Sequence, residues 1–111
     1  MVREIKFFKE YFIDFYLSLD LREQEKVDYV LLLIRTVEIV PGKFLKRMKG
    51  TRGLYEIRIN FSNSTYRIFC CFDQSKLIVL FNGFVKKTRN TPKKEIERAV
   101  NLMTQYFEEK N

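Results

Sequence analysis

The sequence predicts an α+β protein in which a helical hairpin precedes a small, mainly antiparallel β-sheet and a C-terminal helix closes the fold. Three observations carry this. Apolar residues recur at helical spacing up to Val37, alternate or run continuously between Leu54 and Phe84, and return to helical spacing after Thr91-Pro92. The 111 residues have the length of one domain, read as 1–111, and 46% of them are hydrophobic, with eleven Phe and six Tyr. A chain of this size and apolarity can bury a core without disulfides or a structural metal.

The elements follow in order. Arg3-Glu4-Ile5-Lys6 reads as a short first strand. From Phe7 to Leu19 the aromatic residues fall on helical intervals, with Phe7, Tyr11 and Phe15 on one row and Phe8, Phe12 and Tyr16 on the next. Asp20 with Glu23 has the spacing of a capping box, so a second helix starts at about Leu21 and runs to Val37. Val27, Val30, Leu31, Ile34 and Val37 form its inward stripe. Pro41-Gly42 ends the hairpin. The basic stretch Lys43-Phe44-Leu45-Lys46-Arg47-Met48-Lys49 reads as a helical turn and loop running into Gly50-Thr51-Arg52-Gly53.

Leu54 to Phe61 alternates, with Tyr55, Ile57, Ile59 and Phe61 on one face. After the turn Ser62-Asn63-Ser64, Thr65 to Phe72 places Tyr66, Ile68, Cys70 and Phe72 together. Lys76 to Phe84 is a nearly continuous apolar run, as in a strand buried on both sides. Gly83 in that run marks a bulge or a close backbone approach. Thr91 as N-cap and Pro92 at the first position open the last helix, whose stripe is Ile96, Ala99, Val100, Met103 and Phe107.

Composition narrows the chemistry. There is no histidine, which removes Ser-His-Asp and Cys-His nucleophilic catalysis and the paired-histidine route to RNA cleavage. Cys70 and Cys71 are adjacent, point to opposite faces of a strand, and read as small buried side chains. No zinc site of the usual spacing can be drawn, and no cofactor is expected. No apolar run reaches the roughly 20 residues of a membrane span, and charges in Met1–Lys6 replace the apolar segment of a signal peptide. A cytoplasmic address follows by default. The net charge of +7, from 21 Lys+Arg against 14 Asp+Glu, points to a polyanionic partner: nucleic acid, an anionic membrane or an acidic protein segment. Of these the membrane ranks last, because both long helices spend their apolar faces on the core.

Strand parity then locates some of that charge. If the apolar faces of the two hairpin strands coincide, paired residue numbers sum to an odd value. Every such register puts Arg58 and Arg67 on one face of adjacent strands. Two guanidinium groups side by side call for an anion or a carboxylate, and Glu56 shares their face. A solvated Glu–Arg cluster of little energetic consequence is the plain alternative. Lys86, Lys87 and Arg89 follow the third strand, and Lys93 and Lys94 sit in the first turn of the last helix, where cations oppose the helix dipole but suit a phosphate. Lys43, Lys46, Arg47, Lys49 and Arg52 add a second basic stretch before the sheet.

The ordered set Leu54-Tyr55-Glu56-Ile57-Arg58, Tyr66-Arg67-Ile68-Phe69, Leu80-Phe81-Asn82-Gly83-Phe84-Val85-Lys86-Lys87 and Thr91-Pro92-Lys93-Lys94-Glu95-Ile96 resembles the phage-derived HigB-like branch of the RelE/ParE toxin superfamily. The resemblance spans nearly the whole chain, including the hairpin and Val40-Pro41-Gly42-Lys43-Phe44-Leu45. Asn82 departs from it, since many relatives carry histidine there, and the role of that histidine does not transfer. The resemblance implies a RelE-like fold and the toxin of a type II toxin–antitoxin pair: a ribosome-dependent, metal-independent mRNA endonuclease acting in the 30S A site. It also implies a cognate antitoxin, expected to be a helix-turn-helix protein. By position, Arg58 and Arg67 match basic residues of such sites, and Lys86 and Lys87 match the basic position after the last strand.

In that reading Arg58, Arg67, Lys86 and Lys87 are the catalytic candidates. Lys46, Lys49, Arg52, Glu56, Arg89, Lys93 and Lys94 are the RNA-binding candidates. Attack by a 2′-OH on the adjacent phosphate needs charge stabilisation, which Arg supplies through bidentate contacts. The proton acceptor is left to a lysine of lowered pKa, with Lys86 and Lys87 foremost, to Glu56, or to Tyr55, whose place on the apolar face favours packing. Two rivals stand beside this: a ParE-like inhibitor of DNA gyrase that cuts nothing, and an RNA- or ribosome-binding module without chemistry.

Overall fold

A computed structural model describes residues 2–110; Met1 and Asn111, the ends of the expected domain, lie outside the described residues. The chain folds as β1 (Glu4–Phe7), α1 (Tyr11–Leu17), α2 (Leu21–Thr36), β2 (Leu45–Arg47), β3 (Leu54–Phe61), β4 (Ser64–Asp73), β5 (Leu77–Lys86) and α3 (Lys93–Lys110). The five strands form one sheet in the order β1-β5-β4-β3-β2. All neighbouring strands are antiparallel except β1, which runs parallel to β5.

Alternation along the strands divides the core into two layers. On one face Ile57, Ile59, Tyr66, Ile68, Cys70 and Leu80 pack with Phe12, Phe15, Val27, Val30 and Ile34 of α1 and α2. On the other, Leu54, Phe69, Cys71, Val79 and Phe81 pack with Ala99, Leu102, Met103 and Tyr106 of α3. The two cysteines therefore serve opposite layers as free, buried thiols. Burial pushes the Cys71 thiol up to about 12 and Cys70 well above its ordinary value.

The capping box is present: the Asp20 side chain accepts from the Glu23 amide, and the Glu23 carboxylate accepts from the Asp20 amide, both at 2.8 Å. Gly83 is required by a close approach, because a Cβ there would lie 2.5 Å from the Phe15 ring. The β4–β5 register also shifts between Ile68 and Cys70, so the same stretch carries a bulge.

Three expectations need correction. The first helix does not begin at Phe7. That residue pairs with Leu80 in β1, and the chain turns at Lys9, with φ 54°, before α1. Phe8 belongs to the α3 layer. Secondly, the stretch from Lys43 to Lys49 is not turn and loop throughout: one turn is present, with the Pro41 carbonyl accepting from the Phe44 and Leu45 amides, but Leu45–Arg47 then pairs with Tyr55–Ile57 as an edge strand. Its lysine and arginine also guard that edge against further pairing. Thirdly, Thr91 does not cap α3. The Pro92 carbonyl accepts from the Glu95 and Ile96 amides, while the Thr91 hydroxyl donates to Glu56 at 2.8 Å.

Candidate nucleic-acid interface

Three strands and the β5–α3 connection build a basic cleft on the α3 side of the sheet. Arg58 and Arg67 are direct cross-strand partners, so their guanidinium groups leave adjacent strands on one face. Glu56, one alternation earlier on β3, is 1% exposed. Its Oε1 lies 3.1 Å from Arg58 Nε and 3.4 Å from Arg67 Nε. Its Oε2 accepts the Thr91 hydroxyl. One carboxylate thus holds two arginines and ties the sheet to the segment before α3.

Arg67 is itself buried, at 8% exposure. Its Nη1 donates to the Tyr66 carbonyl at 3.0 Å. The Arg67–Glu56 contact is in ion-pair range but lacks the alignment of a hydrogen bond, which leaves the buried Nε without one. Burial lowers the pKa of Arg67; Glu56 opposes that shift and Arg58 adds to it.

Around this centre, Lys46, Arg47, Met48 and Lys49 from β2 and its exit, Arg58, Lys86, Arg89, Asn90, Thr91 and Ile96 line a cleft of about 440 Å³. Lys86 closes β5 opposite Thr65. Its pKa is held below the ordinary lysine value, first by desolvation and then by Arg67, Arg58 and Lys46, against the pull of Glu56. The cleft is an anion site in chemical terms. It holds one buried carboxylate, already engaged, and several cations around it. Among the described residues, no group of three Cys, Asp or Glu is placed to hold a metal.

The expected residues divide by position. Lys46, Lys49, Glu56, Arg58, Lys86 and Arg89 come together in the cleft, with Arg67 behind its wall. Lys87, Lys93 and Lys94 are exposed outside it. Lys93 approaches Glu97 at 4.0 Å on the surface of α3. Arg52 lies elsewhere, beside Met103, Thr104, Phe107 and Glu108. Tyr55 packs edge-on against Phe72 in the α1/α2 layer. Arg47, Asn90 and Thr91 were not among the candidates. Arg47 stands in the same basic stretch as Lys46 and Lys49, and charge alone did not separate the residues of that stretch that reach the cleft. Thr91 was hidden because a Thr-Pro pair reads as a helix start, and Asn90 carries no sequence signal of its own.

Comparison with known proteins agrees with this architecture. A chain of the archaeal RelE–RelB complex from Pyrococcus horikoshii OT3 superposes with a TM-score of 0.57 at 20% identity, covering 82% of this chain and 100% of that one. At that identity the likeness is one of fold, and the fold here is RelE-like. No curated protein matches the chain. The model of the phage-derived Gp49-like proteins matches residues 14–104, from α1 almost to the end of α3. The chain belongs to the phage-derived Gp49-like protein family.

Proposed function

We propose that this chain is the toxin of a toxin–antitoxin pair and that it cuts mRNA on the ribosome, with the basic cleft as its active site. The observation that carries the reading is Glu56, a buried carboxylate that fixes Arg58 and Arg67 side by side within reach of a lysine of lowered pKa.

In the proposed reaction a 2′-OH loses its proton and attacks the adjacent phosphorus. The P–O5′ bond breaks and O5′ takes a proton from water, leaving a 2′,3′-cyclic phosphate and a 5′-hydroxyl end. Arg58 faces the cleft and takes the developing charge on the non-bridging oxygens. Arg67, buried behind it, reinforces the positive potential and shares Glu56. Lys86 accepts the 2′-OH proton, a role its lowered pKa suits. Lys46, Lys49 and Arg89 hold the flanking phosphates. Glu56 acts as a positioning residue, since both its oxygens are engaged. The ribosome orients the strand, and positioning of that kind is worth several orders of magnitude in rate.

The antitoxin in this reading is a helix-turn-helix protein with acidic side chains toward the cleft, by charge complementarity. Its gene is expected beside this one, with the toxin gene first.

The test is to induce the chain in a bacterium and map mRNA 5′ ends, against Arg67→Ala and Lys86→Ala. Codon-phased cuts that vanish in both variants support the nuclease. Intact mRNA with arrested replication would point to gyrase, and unimpaired growth to a binding module.

A further inference from the structure

A second surface lies on the opposite layer from the cleft and has no part in the reading above. Between β1 and α2, Ile5, Phe7, Asp28, Leu31, Leu32 and Arg35 line a groove of about 490 Å³. The floor is apolar, yet Leu32 is 52% exposed and Phe7 44%. As the first strand of the sheet order, β1 leaves this flank open on its outer side.

The α2 residues of the groove fall at i, i+3, i+4 and i+7, one face of a helix. This is a second stripe beside the buried one of Val27, Val30 and Ile34. Its order is negative, apolar, apolar, positive. That order is its own complement when reversed. If two α2 helices meet antiparallel about a two-fold axis between Leu31 and Leu32, each Asp28, whose carboxylate also accepts the Tyr16 hydroxyl of its own chain at 2.8 Å and keeps its charge, faces an Arg35. The leucines then meet at the centre over Ile5 and Phe7.

The geometry points to a second copy of this chain as the occupant of the groove, in a two-fold dimer through α2. Isologous contacts of this kind need a self-complementary patch, and the Asp28–Leu31–Leu32–Arg35 stripe is one. An unrelated helix lying antiparallel in the groove would have to reproduce the same order. The net charge of +7 opposes association, but the basic cleft is on the α3 layer, and beyond about 8 Å charges are screened at physiological salt. The patch is small, so the dimer belongs to the weak class that buries less than about 1,200 Å² in total. The cleft stays open in each copy.

Sedimentation equilibrium on the purified full chain tests this. We expect a monomer near about 1 µM and a dimer by a few hundred µM, as for an affinity of roughly tens of micromolar. Leu32→Glu, at a half-exposed position that leaves the core intact, shifts the midpoint at least about tenfold. Asp28→Arg or Arg35→Asp weakens the dimer singly, and the two together restore it, because the reversed stripe is again self-complementary. A helix that merely failed to fold would show no such rescue. Oxidation of Leu32→Cys gives a cross-linked dimer faster than Leu17→Cys, an equally simple control on α1 at 69% exposure. The native thiols are buried and do not compete. A monomer at every concentration, an unshifted Leu32→Glu, or equal cross-linking from Leu17→Cys overturns the inference.

Discussion

Glu56 and Asp73 are both buried carboxylates on the α3 side of the sheet, and their surroundings differ in kind. Asp73, at the end of β4, accepts the Tyr106 hydroxyl at 2.5 Å and Lys110 Nζ at 2.6 and 2.8 Å. Its bonds come from two residues of α3. The result is a lock between the end of that helix and the sheet, and it holds the Asp73 carboxyl below its ordinary value, through Lys110 first and then Tyr106. Glu56 holds two arginines and a threonine, with Lys46 and Lys86 on the same cleft. There the cations outnumber the carboxylate, and an arginine is buried with them. One end of the layer is electrostatically closed, whereas the other keeps an excess of positive charge around its carboxylate.

The largest effect expected from this contrast is on catalysis. Arg58→Ala and Lys86→Ala should each lower RNA cleavage by about 10²–10³-fold, within the ranges for removing a preorganised stabiliser of transition-state charge and a general base. Asp73→Asn should leave cleavage per folded molecule unchanged. Single-turnover rates on ribosome-bound mRNA make the comparison. Loss of cleavage in Asp73→Asn, at full folding by circular dichroism, would break the division between the two ends. If Lys86 is the proton acceptor, as proposed, the wild-type rate should rise with pH up to a midpoint below the ordinary lysine value, because it must be unprotonated to act. That rise should be lost in Lys86→Ala.

Next in size is stability. Glu56→Ala leaves Arg58 and Arg67 without their carboxylate and should cost about 3 kcal/mol in urea unfolding. Millimolar sulfate or phosphate should recover part of the loss, since an anion that binds only the folded state stabilises it. Tyr106→Phe removes one buried hydrogen bond from Asp73 and should cost about 1–2 kcal/mol, with no recovery from anions. Equal anion responses at the two ends would remove the contrast.

Acid unfolding distinguishes the Asp73 lock in another way. A carboxyl with a depressed folded pKa contributes stability that is fully present above its unfolded value of about 3.9 and is lost as pH falls through the folded value. Wild type should therefore lose stability below about pH 4 more steeply than Asp73→Asn, as read by urea titrations between about pH 2 and pH 5.

How much of this was legible in the sequence depended on whether the signal was periodic. The hairpin β3–β4 was, since alternation fixes parity and parity puts Arg58 beside Arg67 without any knowledge of the third dimension. The capping box at Asp20–Glu23 was legible for the same reason: it is a local hydrogen-bond pattern at a fixed spacing. Depth was not legible. Parity assigns Arg67 to a face but does not tell that it is buried there to 8% exposure. Short elements were lost too. Leu45–Arg47 has too few residues to show alternation, and it becomes a strand because β3 offers a free edge. Phe7 and Phe8 fit a helical row as well as a strand, and the pairing of β1 with β5 decides between them. The stripe of α3 was drawn too narrow. Leu102 and Tyr106 are also buried, because the helix covers a whole sheet face.

The smallest effect concerns Thr91, the contact least visible in the sequence because its partner is 35 residues away. Thr91→Val keeps the shape and removes the hydroxyl that donates to Glu56 Oε2. It should cost about 1 kcal/mol of stability, the worth of one hydrogen bond to a charged group partly replaced by water. Its more informative consequence is geometric. The bond ties the cleft floor to the segment before α3, which carries Arg89 and Asn90 into the cleft wall. Freed of it, that wall should loosen, so RNA should bind more weakly while the cleavage step proposed for Arg58 and Lys86 keeps its rate at saturation. A rise in KM with kcat unchanged would place Thr91 among the residues that shape the cleft. A fall in kcat instead would show that Glu56 depends on Thr91 to hold the arginines, and the cleft would then be a single coupled unit rather than a rigid pair with a movable wall.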